Sequence, residues 1–438
     1  MRSYLSFFSL SVLFTVLLLW TGCEQQQPTE PEDPATLESF ALLQKKVFDQ
    51  SCATSGCHSN SSKAGGLVLE AAVSYSSLVN ATPTNTAANN AGLKIIRPGL
   101  PDSSLLYLKL SQNVKAEWGD RMPQNSIAGM TSSAREFIRQ WIAAGAPQSG
   151  KVADYRLLES DIIGIESFNP PTPPTQGLQL HVRPFAIDPG QEREIFTFDR
   201  ITNEAPLYIS GIDIAMREGS HHFILYKYGG SGLQQGVVRD FNNSTLFQEM
   251  RHSDERIFLM GAQTPTLSVR LPEGVVFQLD PNQGFDLNSH YTNNNGQSVM
   301  LGEVYVNLHT VQASPGMKVA LPIFDNYLNI VLPKNQKTTV QRTVVFDSPR
   351  QIFSFSSHTH KRGESFKIFL VGGPNDGQLV YENFSWDHPP AKMFSTPLAF
   401  QAGWGYRIEV VYNNETEREI RFGFTSEDEM CIVLGYYY

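Results

Sequence analysis

Beyond a proline-rich spacer at 169–174, the chain consists mainly of short runs in which apolar and polar residues alternate. Such runs of Val, Ile, Phe, Tyr and Thr, separated by Gly, Pro, Asn and Asp, are typical of β-strands joined by turns. A break at Ser314-Pro315-Gly316 divides the region into comparable halves. About 260 residues are enough for two sandwiches. The sequence therefore predicts two all-β, jelly-roll-type sandwiches over 178–313 and 314–438.

The charge balance argues against nucleic acid as a partner. The 438 residues include 34 Lys and Arg against 43 Asp and Glu, which gives a formal net charge of −9. No basic excess is available to displace the counterions of a phosphate backbone. With 41% hydrophobic and 18% charged residues, the chain is expected to be globular rather than disordered.

The first 22 residues have the pattern of a signal sequence. Arg2 precedes an apolar run over 4–20, and a run of about 17 residues is short for a membrane span but suits a signal peptide. The run ends in Thr21-Gly22-Cys23, which resembles a bacterial lipoprotein cleavage site. We therefore predict a lipoprotein signal peptide over 1–22, a lipid on Cys23 and a polar tether over 23–36.

An ordinary cleaved signal peptide and an uncleaved anchor are the alternatives. All three possibilities place the folded part outside the cytoplasm. With the lipid anchor, the protein is expected on a bacterial cell membrane, facing the periplasm or the exterior, with no other contact to the membrane.

Cys52 and Cys57, followed directly by His58, are the residue types of a c-type haem attachment site. The two thiols form thioethers to the haem, and the histidine ligates the iron. Four residues separate the cysteines here, where two are usual. A disulfide would leave His58 without a role, and a zinc site would need a further ligand. Met122 is the candidate second axial ligand, and Met130 is a weaker one.

This region resembles small cytochrome c domains. In those domains a Met-Pro pair precedes a final helix that ends in W-I-x-x-G-A, and here Met122-Pro123 precedes Trp141-Ile-Ala-Ala-Gly145-Ala. The resemblance implies one haem c with His58 and Met122 as axial ligands, an arrangement that favours electron transfer. The implied organisation is a small all-α cytochrome c-like haem domain over 37–150, followed by a Pro-rich linker over 151–177.

Two sets of candidate metal ligands lie in the β-rich region. One contains two adjacent histidines and a later one, and the other contains a His-x-His pair and a methionine. Side chains alternate along a strand, so His-x-His places both rings on one face, and Phe353 and Phe355 are expected to point away into the core. Adjacent histidines can share a metal only at a strand end or a bulge. Two imidazoles with a thioether suit Cu(I). The candidate ligands are His221, His222 and His290 in the first set, and His358, His360 and Met430 in the second.

These sets resemble those of the copper type II, ascorbate-dependent monooxygenases, the family of peptidylglycine α-hydroxylating and dopamine β-monooxygenases. The most specific part is Asp428-Glu-Met430-Cys431, followed by a strand that ends in three tyrosines. The resemblance implies two copper ions per chain. The catalytic copper, held by His358, His360 and Met430, would bind O₂ and substrate, and the other copper would pass it an electron across a cleft between the sandwiches.

The implied activity is the hydroxylation of a C–H bond of a small-molecule substrate by O₂. An electron donor would supply electrons through the haem domain. Amidating members of the family carry Arg before His-x-His, and Asn and Tyr after the methionine, where this chain has Ser356, Ile432 and Leu434. The resemblance therefore implies no anchor for a peptide carboxylate. Cys431 is expected to be free and buried.

Two other functions remain open at this stage. A non-catalytic copper and haem redox or metal-binding lipoprotein would keep the ligands without turnover. A β-sandwich recognition module would carry the histidines without metal. Among the remaining histidines, His252 is the main rival of His290 as a ligand, and the others are expected to be ordinary surface or core residues.

Overall fold

The chain is mostly β, with 41% strand and 17% helix. The structure, a computed structural model, describes residues 33–111, 114–124, 126, 129–159, 161, 168–242, 244–423, 425 and 427–438. The predicted signal peptide and Cys23 therefore lie outside the described residues. Within the described part of the chain, no helix combines the length and the apolar character that crossing a membrane requires.

The predicted fold, a small all-α cytochrome c-like domain followed by two jelly-roll-type sandwiches, is wrong. The chain is mostly β with its sheets arranged in a ring, and the described part of 37–150 holds no all-α cytochrome c-like domain. Its α-helices, apart from Ser132–Ala143, are only five residues long. Glycines in the left-handed region, such as Gly92 (φ 74°) and Gly99 (φ 80°), turn the chain between them. Helical periodicity in this region is therefore local and does not extend to a helical domain.

The helices and helical turns of the described residues are short. The α-helices are α1 (Ser39–Leu43), α2 (Ser74–Leu78), α3 (Thr86–Asn90), α4 (Leu105–Lys109), α5 (Ser132–Ala143) and α6 (Leu246–Met250). A π-helical segment spans Gln44–Cys52, and 3-10 turns lie at Pro34–Thr36, Ala64–Gly66, Pro101–Ser103, Ala116–Trp118, Tyr155–Leu158 and Ser253–Glu255. The N-terminal core forms around α5, whose Phe137, Ile138 and Trp141 are fully buried.

The first β region contains two sheets that share one core. One sheet has the strand order β1-β10-β3-β8-β11, with β7 also paired to β3, and the other has the order β5-β2-β9-β4-β6. Buried side chains from both sheets, such as Ile212 and Phe223, meet in this core. The strands are β1 (Gly177–Ile187), β2 (Glu192–Arg200), β3 (Leu207–Met216), β4 (Ser220–Tyr228), β5 (Val238–Phe241), β6 (Arg256–Ala262), β7 (Thr266–Arg270), β8 (Val275–Leu279), β9 (Gly284–Thr292), β10 (Met300–Val311) and β11 (Lys318–Val319).

The second β region has two four-stranded sheets and a two-stranded ribbon. The sheets have the orders β12-β21-β15-β18 and β14-β19-β16-β17, and the ribbon pairs β13 with β20. Phe355, Ile368 and Val410 lie in their shared core. The strands are β12 (Leu321–Asn326), β13 (Val331–Leu332), β14 (Gln336–Val345), β15 (Arg350–Thr359), β16 (Gly363–Val371), β17 (Leu379–Asn383), β18 (Lys392–Phe400), β19 (Gly405–Asn414), β20 (Ile420–Arg421) and β21 (Cys431–Tyr437).

Strands β15 and β21 pack one face against the first β region. Phe353 and Tyr436 are buried in the first core, and the Tyr436 hydroxyl donates to the Leu259 carbonyl at 2.9 Å. Phe355, by contrast, lies in the second core. The expectation that both phenylalanines share a core is therefore wrong, because a bulge between Ile352 and Ser354 shifts the alternation.

The N-terminal region is attached to the first β region by buried polar contacts. The guanidinium of Arg217 contacts the Glu303 carboxylate at 2.6 Å and donates to the Ser132 hydroxyl of α5 at 3.0 Å. Leu301 of β10 packs against the N-terminal core. A fully buried carboxylate is stable only when it is paired, so these contacts fix α5 against the sheet.

Candidate metal centre

A bulge at the start of β4 brings two adjacent histidines to one side of the sheet. In the pairing of β4 with β9, the register shifts between Ser220 and His222, so His221 is the extra residue. His222 lies directly opposite His290. The bulge is the feature that joint ligation requires of neighbouring residues on a strand.

The three histidines of the first set converge through their Nδ1 atoms. Nδ1 of His221 lies 3.3 Å from Nδ1 of His222 and 3.2 Å from Nδ1 of His290. One potential ligand atom from each ring lies within 4.8 Å of the others. Two nitrogens bound to one tetrahedral ion at about 2.0 Å would be about 3.3 Å apart. The spacing therefore fits a shared metal ion.

The outward-facing nitrogens of the first set meet acceptors from the next strands. Nε2 of His222 lies 3.1 Å from Oδ1 of Asn288 and 3.6 Å from Oε1 of Glu194. Nε2 of His290 lies 3.2 Å from Oε1 of Glu192. An amide oxygen accepts hydrogen bonds, so Asn288 holds the ring proton of His222 on Nε2 and leaves its Nδ1 free as a ligand. Glu192 and Glu194 lie within ion-pair distance of the rings of His290 and His222.

The position of these partners follows from strand register. Glu194 of β2 lies opposite His290 of β9, which in turn lies opposite His222 of β4. Residues directly opposite in neighbouring strands share a face of the sheet. A carboxylate and two imidazoles therefore form one row across three strands.

Burial and neighbouring charges shift the pKa values of His221 and His290 in opposite directions. Burial, reinforced by the neighbouring rings of His222 and His290, lowers the pKa of His221 to about 3. Burial also disfavours a charge on His290, but the carboxylates of Glu192 and Glu194 outweigh it and raise the pKa of that ring. Metal binding requires the unprotonated imidazole, and His221 provides it at neutral pH.

The second set is oriented in the opposite sense. The rings of His358 and His360 have centroids 5.3 Å apart, which confirms that His-x-His places both on one face. Nδ1 of His360 donates to the Asp428 carbonyl at 3.2 Å, which leaves its Nε2 as the available ligand atom. Nδ1 of His358 lies 3.4 Å from the side-chain amide of Gln263, which follows β6 of the first region.

Met430 immediately precedes β21, next to the end of β15. Cys431 is paired with Thr359, so the backbone of Met430 lies alongside the residues that carry the two rings. The Tyr412 hydroxyl donates to the Met430 carbonyl at 2.7 Å and holds this backbone in place. Burial raises the pKa of the neighbouring Glu429 to about 8. Cys431 is buried and unpaired.

The two ligand sets adjoin each other. The ring centroids of His222 and His358 are 6.5 Å apart. Burial, followed by the rings of His360 and His222, lowers the pKa of His358 well below its ordinary value. The sequence predicts two sites that face each other across a cleft, whereas the structure brings a ring of each set into contact range.

The candidate haem residues gather beside the N-terminal core. Cys52 and Met122 both pack against this core, and Cys52 and Cys57 are free thiols. Nδ1 of His58 is buried and has no hydrogen-bond partner among the described residues. Burial, and then the neighbouring Cys57, raise the pKa of Cys52 to about 12. Met130 is itself part of the buried core.

The rival ligand His252 lies at the other end of β4. Its Nδ1 is 2.9 Å from the hydroxyl of Tyr228 and 3.2 Å from Oε2 of Glu255. Six residues of strand separate Tyr228 from His222, a distance of about 20 Å. His252 therefore belongs to a separate hydrogen-bonded cluster.

Sequence reasoning missed the side chains that surround the ligands. Glu192 and Glu194 alternate along one strand, and Asn288 lies two residues before His290, so their spacing is compatible with one face. This spacing places the side chains next to the histidines only when the pairing of the strands is known. Gln263 and Trp386, whose ring centroid lies 6.0 Å from that of His221, had no signal in the sequence.

Residues 330–438 match the family described as copper type II ascorbate-dependent monooxygenase, C-terminal domain. The matched segment contains His358, His360 and Met430. The match supports copper as the metal and a copper-dependent monooxygenase in general. The first ligand set and the N-terminal region lie outside the match. No curated protein matches the chain.

Solved structures similar to the chain include two viral coat proteins. The major capsid protein P2 from Bacteriophage PM2 is 6% identical, with a TM-score of 0.26, over 59% of this chain and 97% of that chain. The STIV MCP is 10% identical, with a TM-score of 0.23, over 60% of this chain and 92% of that chain. These TM-scores are too low to support a conclusion about fold or function.

Proposed function

We propose that the protein is an exported copper-dependent monooxygenase that hydroxylates a C–H bond of a small molecule with O₂. The observation that carries the proposal is the contact between two ligand sets of different chemistry. Three convergent imidazoles of the first region adjoin a His-x-His strand that lies in the matched monooxygenase segment.

The donor sets fit copper. Three imidazoles suit either oxidation state of copper, and two imidazoles with the Met430 thioether suit Cu(I). When bound, the copper ions would supply one-electron chemistry and O₂ activation. The protein contributes a neutral ring at His360 at neutral pH, because burial lowers the pKa of that ring to about 4. One ring of each set, His222 and His358, lies within 6.5 Å of the other between centroids, so the residues that would hold the two ions adjoin each other.

Electrons are proposed to enter through a c-type haem held by Cys52, Cys57 and His58. The free thiols and the unpartnered Nδ1 of His58 fit covalent haem attachment. When bound, the haem would supply one-electron transfer. This proposal concerns the haem-binding residues only.

Strand β10 contacts both the N-terminal core and the turn that precedes the first ligand set. Leu301 packs against the N-terminal core, and the neighbouring Met300 packs at Gly219, two residues before His221. A Cβ atom at Gly219 would lie 2.6 Å from the Met300 sulfur, so the glycine permits this close approach.

The decisive experiment is metal and haem analysis of the exported, full-length protein. We expect two copper ions per chain and a reduced-haem absorption band. His358→Ala and Met430→Ala should each lower copper content and stop substrate-dependent oxygen consumption. His252→Ala is the matched control, since that ring belongs to a separate cluster, and it should keep both coppers.

Each half of the proposal can fail separately. If His358→Ala and Met430→Ala leave copper content and oxygen consumption unchanged, the assignment of the catalytic site is wrong. Loss of the haem band in a Cys52→Ser, Cys57→Ser double variant is expected, and a wild-type protein without the band contradicts the haem proposal. A copper-loaded protein that never consumes O₂ would instead be a non-catalytic redox protein.

Export and membrane attachment are part of the same proposal. The segment over 1–22 and Cys23 would direct lipidation and anchor the protein outside the cytoplasm. Cys23→Ser should release the protein from the membrane fraction, and an unchanged distribution would contradict the lipid anchor.

A further inference from the structure

A loop of the second β region reaches the first ligand set. The loop over 384–391 connects β17 to β18 and carries Trp386. The centroid of the Trp386 ring lies 6.0 Å from that of His221, with the two planes inclined at 42°. The side chain of Trp386 is half-buried. An aromatic ring from one region therefore covers a candidate ligand of the other.

Both ends of this loop are held by the strand that carries the second ligand set. At its start, the Asn383 amide donates to the Ser357 hydroxyl at 3.2 Å. At its end, the Pro390 carbonyl accepts from Ser356 at 3.1 Å and from Tyr381 at 2.9 Å. Ser356 and Ser357 directly precede His358, so the loop keeps a defined position relative to the second set.

The charged groups on the loop are paired with each other. The Ser385 hydroxyl donates to Oδ1 of Asp387 at 2.8 Å, and Oδ2 of Asp387 lies 3.1 Å from Nδ1 of His388. The group that the loop presents to the ligand sets is therefore the indole ring.

The strand neighbours of the second set are also uncharged. Ile432 lies directly opposite His358, and Leu434 lies opposite Ser356, across β15 and β21. The Ser356 hydroxyl is already used by Pro390. Lys361, the first cation after His360, is paired with Glu427. A carboxylate would find no unpaired cation among these described neighbours.

From this arrangement we propose that Trp386 is a specificity-determining residue, which with Ile432 forms an apolar wall for an uncharged aromatic or aliphatic group of the substrate. The inference rests on the proposed function and names its substrate class. Indole rings stack on aromatic groups and shield apolar ones from water, and this ring lies beside His221 of the first set, on a loop anchored to Ser356 and Ser357 next to His358. The wall would favour neutral substrates and disfavour anionic ones, since a buried carboxylate without a partner is costly.

Binding of two matched probes tests this inference. The neutral probe is 3-phenylpropan-1-ol, and the anionic probe of the same shape is 3-phenylpropanoate. Calorimetric titration of the copper-loaded full-length protein should show tighter binding of the alcohol. Trp386→Ala should weaken binding of the alcohol about tenfold, and Trp386→Phe by only about threefold. Phe384→Ala, on the same loop with a side chain 65% exposed, is the matched control and should bind like wild type.

The outcomes separate this inference from the proposed function. The wall is disproved if the carboxylate binds as tightly as the alcohol, if Trp386→Ala binds the alcohol like wild type, or if the wild type binds no alcohol at about 10 mM. Copper content is measured independently on every variant. If the protein binds no copper but its affinity for the alcohol still depends on Trp386, the apolar wall is supported and the proposed monooxygenase function is wrong. Should the alanine variant melt early, Trp386→Leu replaces it, and its affinity should lie below that of Trp386→Phe.

Discussion

The two ligand sets differ in how much of the protein is needed to build them. All three rings of the first set lie on two neighbouring strands of one sheet, and the partners of their outer nitrogens lie on the same sheet. The second set combines a strand with the separate segment before β21, and one of its rings contacts Gln263 of the other β region. The first site is therefore a property of one sheet, whereas the second depends on how the two β regions pack together.

The two sets also differ in the ring nitrogen that is available to a metal ion. The first set directs Nδ1 atoms inward, and the amide oxygen of Asn288 holds Nε2 of His222. In the second set Nδ1 of His360 is held by a carbonyl, which leaves Nε2. The ligand atoms differ, and a thioether is present in the second set alone. The two sets are therefore expected to differ in their preference for Cu(II) and Cu(I). Four changes test this comparison.

Removing a ligand should have the largest effect and should empty one site at a time. His222→Ala should weaken the first site by more than about 100-fold, or about 3 kcal/mol, and leave the second copper bound. His358→Ala should do the reverse. Copper content and the paramagnetic spectrum of Cu(II) report which site is lost. Loss of both coppers from either variant would show that the sites form one unit.

Acid should destabilise the metal-free protein. The pKa of His360 lies at about 4, below its ordinary value of 6.5, because the ring is buried. Unfolding therefore takes up a proton between these pH values, and stability is lost as the pH falls from 6.5 towards 4, by about 3 kcal/mol for this ring.

Urea unfolding at pH 6.5 and at pH 4 measures this loss. His360→Gln should make the dependence shallower, since an amide does not titrate in this range, while the buried His221 and His358 still contribute. Bound copper should flatten it too, by holding the ring neutral. If the free energy of unfolding depends on pH equally in the wild type and in His360→Gln, burial of the His360 ring is not the cause of the loss.

Changing a carboxylate behind a ligand should affect only the first site. Glu192→Gln weakens the acceptor for Nε2 of His290, and copper affinity there should fall about 10- to 100-fold, or about 1.4–2.7 kcal/mol. Competition with a copper chelator measures the change. Glu255→Gln, in the cluster of Tyr228 and His252, is the matched control. An equal change at both sites would indicate a structural defect instead.

The smallest effect is expected from the contact that crosses between the regions. Gln263→Ala removes the amide beside Nδ1 of His358 and should lower the affinity of the second site about fivefold, or about 1 kcal/mol. The same chelator competition measures it. The prediction fails if the copper affinity of the first site changes instead, because the ring that the Gln263 amide contacts is that of His358 in the second site.

Local patterns in the sequence predicted the part of the site that depends on strand geometry. Alternation placed His358 and His360 on one face, and the adjacent pair at His221 required a bulge, which the structure contains. Glu192 and Glu194 could not be assigned, because β2 reaches β9 only through pairing between residues about 95 positions apart. Phe353 was placed in the wrong core because a single bulge inverts the alternation.

The N-terminal region shows a different limit. Helical periodicity and a cysteine-histidine pattern suggested a small helical domain, but five-residue helices separated by glycine turns do not build one. Short helices gain too little from their own hydrogen bonds to determine a domain without packing. The residues Cys52, Cys57 and His58 remain the basis of the haem proposal independently of that fold.

The sequence by itself determined which side chains are available and which of them share a strand face, because side-chain alternation is a local property of the backbone. Only the tertiary structure decided that a ring of each ligand set lies within contact range, which nitrogen of His222 and of His360 remains free, and that Trp386 lies beside His221. These features depend on strand register and on packing between distant segments, and no local pattern encodes them.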